Sequence, residues 1–272
     1  DFLILFPGVI GAEVLAAAPR LKLIQLVSAG FDQLDLKLCR QLGIPVANNG
    51  GTNSIDVAEH TLALILGWYR RMVEMDANVR QGAWSAIDSG MTTYTIHGKT
   101  VGIVGLGNIG RKVAALLRAF GAEVLYTDAL AAPAEVERSL GVTRVTMEEL
   151  LNRSDVVTLH VPLNAQTRGL IGAGELGLMK PNALLVNTCR GPVVDEAALI
   201  DALARERIAG AALDVLEQEP PTAGNPLLSM ANVLLSPHIA GVTKDTWARR
   251  GVFIFDNLQR VAQGKPALAV IG

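Results

Sequence analysis

The chain has 272 residues, half of them hydrophobic, and carries 24 Lys and Arg against 26 Asp and Glu for a formal net charge of -2. That length and apolar content suffice for two modest domains with buried cores, which excludes a disordered chain. With no Lys/Arg run and no aromatic-basic stripe, nucleic acid and anionic membrane are set aside as partners. The longest apolar stretch, 57–69, contains Glu59 and His60 and falls short of the ~18 residues of a spanning helix, so the expected partner is a small molecule.

The first residue is Asp, and DFLILFPG lacks a basic n-region and a small-residue cleavage site, so it does not read as a signal peptide. The natural start is expected to lie upstream. Strands are predicted over 2–6, 23–27, 101–105, 123–126, 156–160, 183–187, 211–215 and 233–235, as short runs rich in Val, Ile and Leu. Helical patterns alternate with them, which predicts an α/β fold with a doubly wound parallel sheet covered on both faces. A long helix is predicted over 55–81 with Gly82 closing it. Its Leu62, Ile65, Leu66, Tyr69, Val73 and Met75 are too many for one narrow stripe, and burial in its own domain or a subunit interface accounts for them equally well. Another helix places Ile109, Val113, Leu116, Leu117 and Phe120 on one face and stops at Gly121. Cys39 and Cys189 have no paired spacing, which points to a reducing compartment, by default the cytoplasm.

The segment VGIVGLGNIG sets Gly105, Gly107 and Gly110 directly after a strand and at the start of a helix, with Asn108 and Ile109 inside the turn. Glycines at this spacing let the backbone approach a pyrophosphate, which sits on the positive end of the helix dipole. A merely tight turn would gather glycines as well. Asp128, closing the next strand, favours the dinucleotide, because an acidic side chain about 20 residues on grips the adenosine ribose hydroxyls. That carboxylate would repel a 2'-phosphate, and no Arg occurs in 129–132, so NAD is expected over NADP. Arg111 and Lys112 follow Gly110 where a P-loop needs Lys and Ser/Thr.

Three further residues end successive apolar runs: Arg190 in VNTCRGPVVDEAAL, Glu219 in AGAALDVLEQEP and His238 in VLLSPHIAG. A strand-tip Arg can hold a carboxylate through a bidentate fork, and His can move a proton near neutral pH while a Glu orients it. Taken singly, Arg190 could pair structurally with Asp195 or Glu196, Glu219 could be a solvated carboxylate no different from Glu217, and His238 could be a buried, satisfied His. His60, His97 and His160 lack metal-ligand spacing, so no metal is expected. Cys189 reads as a small core thiol.

The motifs SAGFDQLD, NNGGTNSIDVAEH, VGIVGLGNIG, LHVPLNAQTRGLIG, MKPNALLVNTCRG, LDVLEQEP and SPHIAG, in this order, cover almost the whole chain. Together they resemble the D-isomer-specific 2-hydroxyacid dehydrogenases, the family of D-lactate, D-glycerate and 3-phosphoglycerate dehydrogenases and of glyoxylate and hydroxypyruvate reductases. The resemblance implies an NAD-binding Rossmann domain over 54–240, inserted into a smaller flavodoxin-like substrate domain made of 1–53 and 241–272 with a helix over 246–263. Family members begin with a strand-helix-strand unit before the segment that DFLILF matches, so part of the substrate domain is expected to be absent. The resemblance makes His238 the acid/base, selects Glu219 as its partner, and gives Arg190 the substrate carboxylate together with the backbone turn at Ala29 and Gly30. Asp214 would face the nicotinamide carboxamide, and Val161, Pro162 and Thr167 would line the adenine side. Thr188, Cys189 and Gly241 would be further cofactor contacts. Also implied are a homodimer through 55–95 and a 2-oxo acid substrate such as glyoxylate or hydroxypyruvate. Formate dehydrogenases carry Gln where Glu219 stands, which argues against formate. The competing expectation is a dinucleotide-sensing binding protein resembling the C-terminal-binding corepressors.

Overall fold

A computed structural model of the protein describes residues 1–6 and 10–271. The chain divides into two compact units, Asp1–Asp56 with Gly241–Gly272, and Val57–Ala240. Among the described residues the strands are β1 (Phe2–Leu5), β2 (Leu23–Leu26), β3 (Val46–Ala47), β4 (Thr100–Val104), β5 (Glu123–Thr127), β6 (Val142–Arg144), β7 (Val156–Leu159), β8 (Leu184–Asn187), β9 (Gly210–Leu213), β10 (Val233–Leu235) and β11 (Val270–Ile271).

The second unit is built on a seven-stranded sheet ordered β6-β5-β4-β7-β8-β9-β10, parallel throughout. Every residue of β7, β8 and β9 is buried, because a sheet sealed on both faces gives neither side chain of a strand pair access to water. Alternation then divides the residues between two cores. Val156, Leu184 and Val186 join one with Val113 and Leu117, while Val157, Leu159 and Leu185 join the other with Leu150 and Leu199. The chain leaves β4 for β5 and β6, then returns to β7 on the other side of β4. Strand order therefore reverses between β4 and β7, and the crevice beyond their carboxyl ends is where open α/β sheets bind ligands.

The helix expected over 55–81 is two helices, Ser54–Tyr69 and Met72–Arg80. Arg71 between them is left-handed at φ 50°, and its guanidinium bonds Glu74 and Thr92. Neither Gly nor Pro marks the break in the sequence. The division between units also falls inside the first turn of Ser54–Tyr69, beyond the expected boundary at residue 53. Asp56 explains why: its carboxylate accepts bonds from Thr243 and Arg249 of the returning chain. Burial pushes that carboxyl up, but hydrogen bonds from Thr243, Thr246 and Arg249 outweigh it and hold it below the usual range.

The first unit has a four-stranded sheet ordered β1-β2-β3-β11, with β1, β2 and β3 parallel and β11 antiparallel to β3. Leu15, Ile24, Leu26, Cys39, Ile44 and Val46 form its core. Helix Lys244–Ala262 is capped by Thr243, whose side chain accepts from Thr246 N–H. Within this unit Asn257, fully buried, donates to Gln25 Oε1 at 2.7 Å and to the Leu268 carbonyl at 3.0 Å, and accepts from Leu268 N–H at 2.6 Å. Asn257→Ala removes three bonds at once, one of them to the buried Gln25. It should lower stability to urea by about 2–4 kcal/mol, with proteolytic cleavage appearing first near β11; an unchanged denaturation midpoint would show that the network contributes nothing.

Candidate active site

Where β4 ends, Gly105 turns at φ 96°, and a Cβ there would lie 2.6 Å from the His160 carbonyl oxygen at the tip of β7. A Cβ on Gly110 would collide with the Gly105 carbonyl, so the helix can approach the strand this closely only without one. Gly107 meets nothing within 4 Å, which leaves its backbone open to a bulky group. Helix Asn108–Ala119 starts with no side-chain cap and no acidic residue in its first turn, so Asn108 and Ile109 stand at an uncompensated positive helix end. This chemistry fits a dinucleotide diphosphate. Asp128, following β5, accepts from Leu106 N–H at 2.7 Å through Oδ2 and from Leu130 N–H at 3.3 Å through Oδ1. A carboxylate oxygen accepts more than one bond, so ribose hydroxyls still fit.

One neighbour of Asp128 was not legible in the sequence. Arg144 of β6, paired in register with Tyr126, reaches the Asp128 carbonyl at 3.1 Å, so a cation does stand beside the proposed ribose position. Beyond β7, Val161 and Pro162 enter a loop closed by Thr167, whose hydroxyl donates to the Pro162 carbonyl at 2.5 Å and accepts from Asn164 N–H at 2.9 Å. Thr188 is buried against Thr61 at 3.0 Å. Burial pushes the Cys189 thiol up to about 11, and its Sγ bonds Asn187 Oδ1. Gly241 belongs to the first unit, where Arg250 holds its carbonyl at 2.6 Å. In that unit too, the Ala29 carbonyl accepts from Asn48 and the Gly30 carbonyl from Ser28.

Arg190 follows β8 in extended conformation, with its carbonyl held by Asn187 at 2.9 Å and its Nη1 on the Cys189 carbonyl at 2.7 Å. A Cβ on Gly191 would collide with the Leu216 carbonyl; the glycine lets the strand-tip Arg segment press against the chain leaving β9. In that chain Glu219 accepts from Leu216 N–H at 3.0 Å and from His238 Nδ1 at 2.6 Å. Glu217 is placed otherwise, its N–H bonded to Glu196 Oε2. Because an ionised carboxylate only accepts, His238 Nδ1 carries the proton in the neutral ring and Nε2 presents its lone pair.

His238 is left-handed at φ 54°, a conformation held against strain by its surroundings. Asp214 supplies the hold. Its carbonyl accepts from His238 N–H at 2.7 Å, Oδ1 from Ile239 N–H at 3.0 Å and Ser236 Oγ at 2.5 Å, and Oδ2 from Ala240 N–H at 2.8 Å. At 2% exposure, the Asp214 carboxylate is enclosed by these donors. His160 is a different kind of histidine: burial pushes it down to about 3, and it stays neutral with Nε2 on Thr158. Among the described residues no group of three or more His, Cys, Asp and Glu is arranged to hold a metal.

Residues 62–240 match the family described as D-isomer specific 2-hydroxyacid dehydrogenase, NAD binding domain. The glyoxylate reductase of Aeropyrum pernix is 42% identical over 261 residues, covering 94% of this chain and 78% of that protein. The D-3-phosphoglycerate dehydrogenase of Archaeoglobus fulgidus is 40% identical over 257 residues, covering 94% of this chain and 48% of that one. Among solved structures, the apo form of Rhodotorula graminis D-mandelate dehydrogenase superposes with a TM-score of 0.91 at 32% identity, covering 100% of this chain and 84% of its own. The family match spans the whole parallel sheet and its glycine turn, and the relatives extend over nearly all of the chain: it belongs to the D-isomer-specific 2-hydroxyacid dehydrogenases, as an NAD-binding oxidoreductase.

Proposed function

We propose that Arg190, Glu219 and His238 carry the reaction, and that the substrate is glyoxylate, hydroxypyruvate or a 2-oxo acid of similar size. The observation that carries this reading is the 2.6 Å pairing of His238 Nδ1 with Glu219, which leaves Nε2 as the proton-exchanging atom. Arg190 holds the substrate carboxylate and the reacting oxygen in its planar fork. In reduction, imidazolium His238 gives its Nε2 proton to the carbonyl oxygen; in oxidation, neutral His238 takes the hydroxyl proton. A bound nicotinamide supplies or accepts the hydride at the same carbon. Glu219 orients the ring and stabilises its charged form. The backbone of Ala29 and Gly30 is a further proposed substrate contact. The glyoxylate reductase name of a relative supports the substrate class, and nothing favours the corepressor reading.

For the cofactor we assign Gly105, Gly107, Asn108, Ile109 and Gly110 to the diphosphate and Asp128 to the ribose. Val161, Pro162 and Thr167 go to the adenine side, with Thr188, Cys189 and Gly241 as further contacts. Asp214 is assigned to the nicotinamide carboxamide, besides holding the His238 loop. A cytoplasmic setting is proposed on the two free cysteines; no helix among the described residues is long and apolar enough to cross a membrane. A homodimer is proposed through 55–95, where Trp84, Ile87 and Met91 are each more than 80% exposed and helices Met72–Arg80 and Ala86–Gly90 bury no residue.

His238→Ala should lower kcat for glyoxylate or hydroxypyruvate reduction by about a thousandfold or more while NADH binding holds within about twofold; retention of most of the turnover would remove His238 from the mechanism. Arg190→Lys should lose at least about tenfold in kcat/KM, because a point charge cannot reproduce the fork. Asp128→Asn keeps an acceptor for Leu106 N–H but drops the charge that repels a 2'-phosphate. With Arg144 beside it, the NADPH:NADH ratio of kcat/KM should rise about tenfold or more, and wild-type protein that already prefers NADPH would overturn the ribose assignment. In light scattering the wild type should run as a dimer and Trp84→Glu should shift it towards monomer; a monomeric wild type would dismiss the interface.

A further inference from the structure

His60, in the second turn of helix Ser54–Tyr69, is absent from the mechanism above. Its Nε2 lies 2.9 Å from Ser236 Oγ and 3.5 Å from Asp214 Oδ1. Ser236 Oγ is in turn 2.5 Å from that same oxygen. Counting protons fixes the direction of the chain. Burial pushes the Asp214 carboxyl up, but bonds from His60, Ser236, Ala240 and Ile239 outweigh it and hold it below the usual range, so it is ionised and only accepts. Ser236 has one hydroxyl proton, and Asp214 takes it. The Ser236 oxygen is then an acceptor, and His60 Nε2 must be the donor.

We propose that His60 is a positioning residue: its Nε2–H fixes the Ser236 hydroxyl on Asp214, and so fixes the carboxylate that holds His238 in its left-handed conformation. Without that donor the Ser236 hydroxyl is free to rotate, and Asp214 Oδ1 shares its attraction for Ile239 N–H with whatever replaces it. The loop from His238 to Ala240 then relaxes from φ 54° towards ordinary backbone, carrying Nε2 away from the reacting oxygen. A displacement of this kind acts on kcat and leaves the dinucleotide turn untouched. The inference rests on His238 being the acid/base.

The test compares His60→Leu, which removes the donor, with His60→Gln, whose amide N–H reaches a similar point. His60→Leu should lower kcat for glyoxylate reduction about tenfold while the Kd for NADH stays within about twofold, and His60→Gln should recover most of the loss. Ser236→Ala breaks the same chain one atom further on and should match His60→Leu; it serves in its place if that variant does not fold. The chain has four histidines, so in 15N-histidine spectra the resonances lost in His60→Leu identify His60, and they should carry the Nε2-protonated pattern. The inference is overturned by an undiminished kcat in His60→Leu, by equal impairment in His60→Gln, by loss of NADH binding alongside kcat, or by an Nδ1-protonated His60. His238→Ala, measured in parallel, separates the two assignments: if it retains turnover the acid/base reading fails, and if it is inactive while His60→Leu is normal only the His60 inference fails.

Discussion

A buried carboxylate must be surrounded by donors, and at Asp214 that requirement shapes the site. The residue stands just past β9, where a parallel sheet delivers chain ends to one edge, and it is almost wholly enclosed. Its bonds draw in Ser236, Ile239 and Ala240 from the segment after β10. With its own carbonyl holding His238 N–H, the chain between Ser236 and Ala240 is fastened on both sides of the histidine. Loss of one such bond to an ionised group is worth about 1.5–3 kcal/mol, comparable with the strain of a left-handed non-glycine residue. The histidine keeps its geometry because its neighbours outvote its backbone preference.

The same logic of strand ends governs the dinucleotide turn. β4 and β7 are adjacent in the sheet although β5 and β6 come between them in the chain, and their tips meet where Gly105 passes the His160 carbonyl. No side chain fits there. What reads in sequence as a spacing of glycines is, in three dimensions, one backbone crossing another at the strand-order reversal. The helix that follows can then start at the crevice with its first N–H groups uncapped.

Apart from β6, the second unit's strands were legible because burial writes them as unbroken apolar runs. β3, β6 and β11 were not, since two or three residues carry no period. The break at Arg71 had no Gly or Pro to announce it and depends on side-chain bonds to Glu74 and Thr92. In the site, Arg190 and His238 stood out as polar residues at the ends of apolar runs. Glu217 and Glu219 were indistinguishable by chemistry; the structure separates them by which one has its backbone tied to Glu196. Arg144 and His60 left no signal, because parallel register and helix packing bring them to Asp128 and Asp214 across long stretches of chain.

The thiol beside Arg190 has a chemical corollary. Nucleophilic attack on peroxides and alkylating reagents is carried out by thiolate, and a group held near 11 is almost entirely protonated in neutral solution. Cys39 is shifted the same way, first by burial and then by Asp35. Neither sulfur is poised for sulfenic acid formation, although one of them borders the residues assigned to substrate. At neutral pH the residues assigned to substrate therefore border a thiol and not a thiolate nucleophile.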